Sequence, residues 1–192
     1  MVGILLAAGF SRRFGSTNKL LHRLPDSRPL ALAAAENLIK AIPISIAVLR
    51  PENKALAELM LNAGLRVVFC SENDEEMADS LATGIRFSAN FEAASNGFVV
   101  ALADMPFIQA ETILSVANKV ADGASIVIPT YQNQRGHPVG FSAKFRSELE
   151  NIQGDEGARS IIKRYSEELE LLPTDDAGIL VDIDTPNDLS AY

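Results

Sequence analysis

VGILLAAGFSRRFGSTNKLL (residues 2–21) is the stretch on which the reading of the fold turns. Residues 2–8 are continuously apolar and end at Gly9, the pattern of a strand buried on both faces. Strands of this kind sit in parallel sheets, whose connections need crossover helices. The chain supplies them in alternation. PLALAAAENLIKA (29–41) is a helix with Pro29 near its first turn, and SIAVLR (45–50) is a second strand. Pro51 opens a helix that runs to about Asn62 and is closed by Gly64. RVVFC (66–70) is a third strand, the polar run SENDEE follows, and a helix spans about 77–88. GFVVALAD (97–104) is the strongest strand, followed by a helix at about 109–121 and a fifth strand, SIVIPT (125–130). The expected fold class is α/β, a doubly wound sheet of parallel strands with right-handed helical crossovers.

After Thr130 the rhythm breaks. YQNQRGHPVGFS reads as a loop and a short strand. Helices are expected near 143–150 and 157–168, a strand at about 178–183, and a short helix after Pro186. With no internal repeat, linker or low-complexity tract, residues 1–192 read as a single domain.

Bulk properties narrow the partners. A chain of 192 residues suits one core. Its 25 acidic against 17 basic residues, a net charge of −8, argue against sequence-independent binding of nucleic acid. Local positive charge can still hold a small anion. The apolar run at 2–8 is too short to span a bilayer and no other stretch is longer, so no membrane partner is expected. The single cysteine, Cys70, excludes an internal disulfide and fits a reducing cytoplasm; it follows RVVF and reads as a small buried hydrophobe.

Four stretches carry candidate chemistry. In the first, Gly9 and Gly15 bracket Ser11, Arg12 and Arg13, and Lys19 follows. In open α/β sheets ligands bind beyond the carboxyl ends of the strands, and glycines let backbone amides approach phosphate oxygens. Arg13 and Lys19 can neutralise a triphosphate. The spacing fits neither the dinucleotide fingerprint, because Gly9 is followed by five non-glycines, nor the P-loop, because Gly15 is followed by Ser16 and Thr17. In the second, ALADMPF, Asp104 ends an apolar strand; a carboxylate there suits a divalent ion completed by phosphates and water, or a turn cap. In the third, VDIDTPNDL, Asp182 and Asp184 alternate in the expected strand and share a face. One of them can complete a metal site with Asp104, or one of them or Thr185 can cap the helix that Pro186 begins; Asp188 reads as a first-turn helix acid. In the fourth, QRGHPVGF, His137 is held between Gly136 and Pro138 and presented from a loop, as a ligand for a second substrate or as a hydrogen-bonded structural residue. There is no Cys/His cluster of zinc spacing and no nucleophile elbow.

Together these stretches resemble one family. LLAAGFSRRFGSTNK (5–19) is similar to the glycine-rich signature of nucleotidyltransferases that activate small phosphorylated or sugar-like substrates, and ALADMP to their metal-binding aspartate motif. EMADSLATG (76–84), RGHPVGFS (135–142), GDEGAR (154–159) and DIDTPNDL (182–189) resemble later motifs of the molybdenum-cofactor branch of the MobA-like NTP transferase family, closest to the molybdenum cofactor cytidylyltransferases. The resemblance implies a three-layer α/β/α, Rossmann-like and mostly parallel sheet of the nucleotide-diphospho-sugar transferase type. It implies transfer of CMP from CTP to the phosphate of molybdopterin with release of pyrophosphate, and delivery to an apo-molybdoenzyme. Carried onto this chain, it places Leu6, Ala7, Ala8, Gly9, Ser11, Arg13, Lys19, Ser80 and Asp104 on the nucleotide and makes Arg13, Lys19 and Asp104 catalytic. It places Mg²⁺ on Asp104 with Asp182 or Asp184, and the acceptor against His137, Arg135 and Arg159. Ala8 stands where the branch distinguishes cytidine from guanosine, and favours CTP. Glu76 and Ala78 depart from the Gly and first Ser of their motif, and Gly140 stands where a larger apolar residue is usual, a change expected to reshape the pterin pocket. The alternatives are a cytidylyltransferase or guanylyltransferase with another small phosphorylated acceptor, or a non-catalytic molybdenum-cofactor carrier. A generic dinucleotide-binding dehydrogenase is disfavoured by the glycine spacing.

Overall fold

A computed structural model of the chain describes residues 1–9, 18–71, 76–154, 157–185 and 188. The five expected strands of the alternating region all form: β1 (Val2–Leu6), β2 (Ser45–Leu49), β3 (Arg66–Phe69), β4 (Phe98–Leu102) and β5 (Ile126–Tyr131). So do the helices between them: α1 (Leu30–Ala41), α2 (Lys54–Asn62), α3 (Met77–Phe87) and α4 (Ala110–Ala121). Pro29 occupies the N-cap of α1, and Gly64, at φ +94°, takes the left-handed conformation that closes the turn after α2. β1 pairs in parallel with β2 on one side and β4 on the other, and β2 pairs in parallel with β3.

Alternation along each strand sorts side chains between two helical layers. Val2, Ile4, Ile46, Val48, Phe98 and Val100 meet α3 and two further helices, α5 (Arg146–Glu150) and α6 (Arg159–Arg164). Leu5, Ala47, Leu49, Val99 and Ala101 meet α1, α2 and α4. The mostly parallel α/β/α sandwich is therefore built by burial of both sheet faces. Truncating a fully buried ring such as Phe98 to alanine is expected to cost about 3–5 kcal/mol.

The sheet departs from the parallel pattern beyond β4. β6 (Gln134–Arg135) and β7 (Val139–Phe141) return antiparallel to β5, and β7 inserts between β4 and β5. The β5–β6 connection is a two-residue turn at Gln132 and Asn133, both with positive φ, as the twist of a tight hairpin demands. A strand not read from the sequence, β8 (Leu169–Pro173), pairs in parallel with the outer side of β5. The strand expected at 178–183 is not formed. Ala177–Leu180 is a 3₁₀ turn, capped by the Asp176 side chain accepting from the Gly178 amide, and the chain then runs extended without a ladder. Asp176, itself buried, also accepts from the Gln109 amide and the Thr112 hydroxyl. These bonds tie the turn to the start of α4. The helix expected after Pro186 lies outside the described residues. Gly140 is explained by packing: a Cβ there would lie 2.7 and 2.8 Å from side-chain atoms of Val120 and Val116. The residue lets α4 settle on β7.

Candidate active site

β1 is the point at which the sheet changes direction. From it the chain builds outward to β2 and β3 on one side, while β4 returns to the other. The carboxyl ends of β1 and β4 flank the crevice that such a reversal leaves open. Leu6 pairs with Leu102, and the Ala103 amide donates to the Leu6 carbonyl at 3.0 Å, so the two strand ends stop at the same height. The segment Ala7–Ala8–Gly9 leaves one end and Asp104 the other.

A cavity of about 240 Å³ opens there, lined by Leu6, Ala7, Ala8, Gly9, Lys19, Leu20, Glu76, Met77, Ser80, Leu102 and Asp104. All the residues expected on the nucleotide that lie among the described ones meet in this cavity. Ser11 and Arg13 lie outside the described residues. Ser80 reaches it from the first turn of α3, where it is buried. Glu76 and Ala78 find local explanations in the same turn. Glu76 and Asp79 form a reciprocal capping box, and Ala78 packs fully buried in the core.

Lys19 opens a short 3₁₀ turn, Lys19–Leu21, whose Leu20 is buried in the core. Asn18 caps that turn by accepting from the Leu20 amide, and its own amide donates to Asn53. So anchored, Lys19 donates from Nζ to Asp104 Oδ2 at 2.8 Å and to Asp184 Oδ1 at 3.0 Å. Its side chain is only 11% exposed. Desolvation alone would lower the pKa of the ammonium, but hydrogen bonds and charge from Asp104 and Asp184 outweigh it and raise it above the ordinary lysine value.

The two carboxylates thus converge on one cationic point. Hard oxygens at that spacing suit a divalent ion of the magnesium type, which takes one or two carboxylates and fills its remaining positions with phosphate and water. No group of three His, Cys, Asp or Glu side chains gathers among the described residues, so phosphates and water would have to complete such a shell. Asp182 and Asp184 flank the buried Ile183, whose amide donates to the Asp104 carbonyl at 2.9 Å. That bond brings Asp184 to Lys19, while Asp182 stays exposed.

The residues expected at the acceptor divide. His137 is partly buried, and its amide donates to the Ile179 carbonyl at 3.0 Å. Its Nδ1 is buried without a hydrogen-bond partner among the described residues. Burial holds its pKa below the ordinary histidine value; the positive charge of Arg159 acts in the same direction, and Asp104 and Asp182 oppose it. His137 and Arg159 therefore belong to one electrostatic neighbourhood with Asp104. Arg135, on β6, is exposed and is not brought into the cavity.

Two further residues shape the site. Asp188 Oδ2 accepts from the amides of Asp184 and Thr185, at 2.9 and 2.6 Å, and fixes the backbone that carries Asp184. The Thr185-x-x-Asp188 spacing is a capping signature and could have announced this. Arg50, only 5% exposed, donates from Nε to the Ala8 carbonyl at 2.8 Å. A lone arginine after an apolar strand carries no such signal.

Known proteins resemble this chain in sequence and fold. Rv0371c from Mycobacterium tuberculosis H37Rv is 26% identical, with a TM-score of 0.81 covering 100% of this chain and 96% of that one. A nucleotidyl transferase from Methanothermobacter thermautotroptrophicus, at 20% identity, shares the fold with a TM-score of 0.82 over 99% of this chain and 94% of its own. The purine catabolism protein PucB of Bacillus subtilis (strain 168) is 26% identical over 198 residues, 98% of this chain and 93% of that protein. The MobA-like NTP transferase domain matches residues 3–169, and with the crevice, the Ala7–Gly9 loop and the Lys19–Asp104 pair in place, this chain belongs to the family of MobA-like NTP transferases.

Proposed function

We propose that this nucleotidyltransferase moves CMP from CTP to the phosphate of molybdopterin and releases pyrophosphate. The observation that carries the reading is the convergence of the Ala7–Gly9 loop, Ser80, Lys19 and Asp104 on one cavity at the β1/β4 crevice. Ala8 supports cytidine as the base, and the GHP and GDEGAR stretches support the pterin acceptor.

The acceptor phosphate is already an anion, so the reaction needs alignment and charge neutralisation more than a strong base. Its oxygen attacks the α-phosphorus in line; a new phosphorus–oxygen bond forms as the bond to the β-phosphate oxygen breaks. Asp104 and Asp184 would hold Mg²⁺, which when bound neutralises charge on the nucleotide oxygens. Lys19 balances those two carboxylates and is the cation placed to move onto the phosphates. Arg13 would join it on the triphosphate. Backbone amides of the loop supply further donors, and Ser80 reads the nucleotide. His137, kept neutral near pH 7 by burial, offers Nδ1 as a hydrogen-bonding group, and Arg159 supplies the positive charge for the acceptor.

No helix among the described residues is long and apolar enough to cross a membrane, and Cys70 is buried with its thiol donating to the Leu49 carbonyl. Both suit a one-domain cytoplasmic enzyme that passes its product to an apo-molybdoenzyme. The test is pyrophosphate release with Mg²⁺ and molybdopterin, with CTP, GTP, ATP and UTP supplied in turn. Release is expected with CTP and only when the pterin is present. Equal release with GTP removes Ala8 as selector; no release from protein that binds CTP removes the pterin as acceptor.

A further inference from the structure

The carbonyl of Ala8 is held from behind. β2 lies beside β1 on the side away from β4, and Arg50 immediately follows β2. Its guanidinium reaches across to the Ala8 carbonyl at 2.8 Å from a position almost fully removed from solvent. Burying a guanidinium is costly, so a buried one is kept in place by well-formed hydrogen bonds. One of the bonds that hold it runs to the loop that lines the cavity.

The peptide geometry turns that bond into a directional device. The Ala8–Gly9 bond is trans, and in a trans peptide the carbonyl and the following N–H point in opposite directions. A carbonyl drawn toward Arg50, on the β2 side, leaves the Gly9 amide facing away from β2, the side on which the crevice between β1 and β4 opens. Two observations agree. Among the described residues no protein acceptor takes the amide of Ala8 or of Gly9. A Cβ placed on Gly9 would meet no atom of the described residues within 4 Å.

We propose that Arg50 is a positioning residue for nucleotide binding: by holding the Ala8 carbonyl it aims the Gly9 amide at a phosphate oxygen. The inference rests on the reading of the cavity as a nucleotide site. Arg50 touches neither the nucleotide nor the reacting atoms in this scheme. Its effect is on affinity for anything that carries the phosphates, whatever the base.

The experiment compares wild type, Arg50→Lys and Arg50→Met by calorimetric titration with CTP and, separately, with inorganic pyrophosphate, both with Mg²⁺. Thermal midpoints are recorded in parallel, and titrations are run well below the lowest. Arg50→Met is expected to weaken both ligands by about tenfold, the scale of one lost charge-assisted hydrogen bond in a binding site. Arg50→Lys, which keeps one cationic donor, is expected to restore most of the affinity. A purely structural role predicts the opposite pattern, lower midpoints with unchanged affinity, and that result overturns the proposal. If Arg50→Met does not fold, Arg50→Lys alone decides: wild-type affinity beside a lowered midpoint overturns the proposal, and weakened binding of both ligands at an unchanged midpoint supports it. Wild type that binds neither CTP nor pyrophosphate overturns the site reading beneath it. Wild type that binds both, with variants that bind equally well, overturns the role of Arg50 alone.

Discussion

The Ala7–Gly9 side of the crevice stands on β1, β2 and β4, strands of a parallel ladder buried on both faces. The opposite side is assembled from the β6–β7 return, the 3₁₀ turn at Ala177–Leu180 and the extended run through Asp184, none of which is a parallel strand. The first side places side chains through a repeating ladder, so its geometry follows from strand register. The second places them through single bonds: the His137 amide to the Ile179 carbonyl, the Ile183 amide to the Asp104 carbonyl, and the Asp188 carboxylate to the Asp184 amide. A site built on one ladder-bound and one individually tethered wall can keep the geometry of the first while the second varies.

The sharpest way to break this comparison is to remove the charges where the walls meet. Lys19→Met and Asp104→Asn are each expected to lower pyrophosphate release about a hundredfold or more, the scale of a positioned charge at a transition state, with the fold retained by circular dichroism. Wild-type turnover in either would dismantle the site.

Glycine substitutions separate the walls next. A Cβ on Gly136 would lie 2.3 Å from the Ile179 carbonyl oxygen, a backbone atom that cannot swing aside. Gly136→Ala should therefore cost about 1–3 kcal/mol in urea unfolding. Gly9→Ala meets no atom of the described residues within 4 Å and should leave the unfolding midpoint unchanged while weakening CTP. Equal midpoints for the two variants would show that the tethered wall is looser than its contacts imply.

The aspartates sharpen the metal assignment. Asp184→Asn should slow turnover by about tenfold, or about 1.4 kcal/mol, and the exposed Asp182→Asn by much less. Reversed effects would move the ligand to Asp182. Lys19→Met should also tighten Mn²⁺ binding in the absence of nucleotide, followed by loss of the free-ion electron paramagnetic resonance signal, because the competing ammonium is gone. Weaker binding would mean that Lys19 organises the carboxylates instead of occupying their shared point.

The smallest effect expected is on the pH dependence of stability. His137 has a folded-state pKa below its unfolded value of about 6.5, chiefly through burial. The unfolded chain therefore binds more protons as pH falls through that range, so this residue's contribution to stability is lost below about pH 6.5. His137→Gln should flatten the change in urea midpoint between pH 7 and pH 5. An unaltered slope would show that another group carries it.

The pattern carried by the sequence follows the same division. The strands and helices through Tyr131 were legible because continuous apolar runs and 3.6-residue periods report burial directly. β8 was not. LELLP ends in proline, which an edge strand tolerates, and Leu171 is exposed, so its pairing with β5 leaves almost no pattern in the chain itself. The expected strand at 178–183 failed for the converse reason. Its apolar residues are buried by packing of a turn held by Asp176, and burial alone does not distinguish a turn from a strand.

The sequence by itself determined the α/β class, the crevice beside β1, and the residue types of a phosphate-handling site, since these depend on local periodicity and on chemistry brought by each side chain. Only the tertiary structure decided that Asp184 shares Lys19 with Asp104, that Arg50 stands behind Ala8, and that Gly140 is a packing position under α4. Those facts depend on contacts between residues far apart in the chain, whose geometry is set by the packed sheet and helices and by no local pattern.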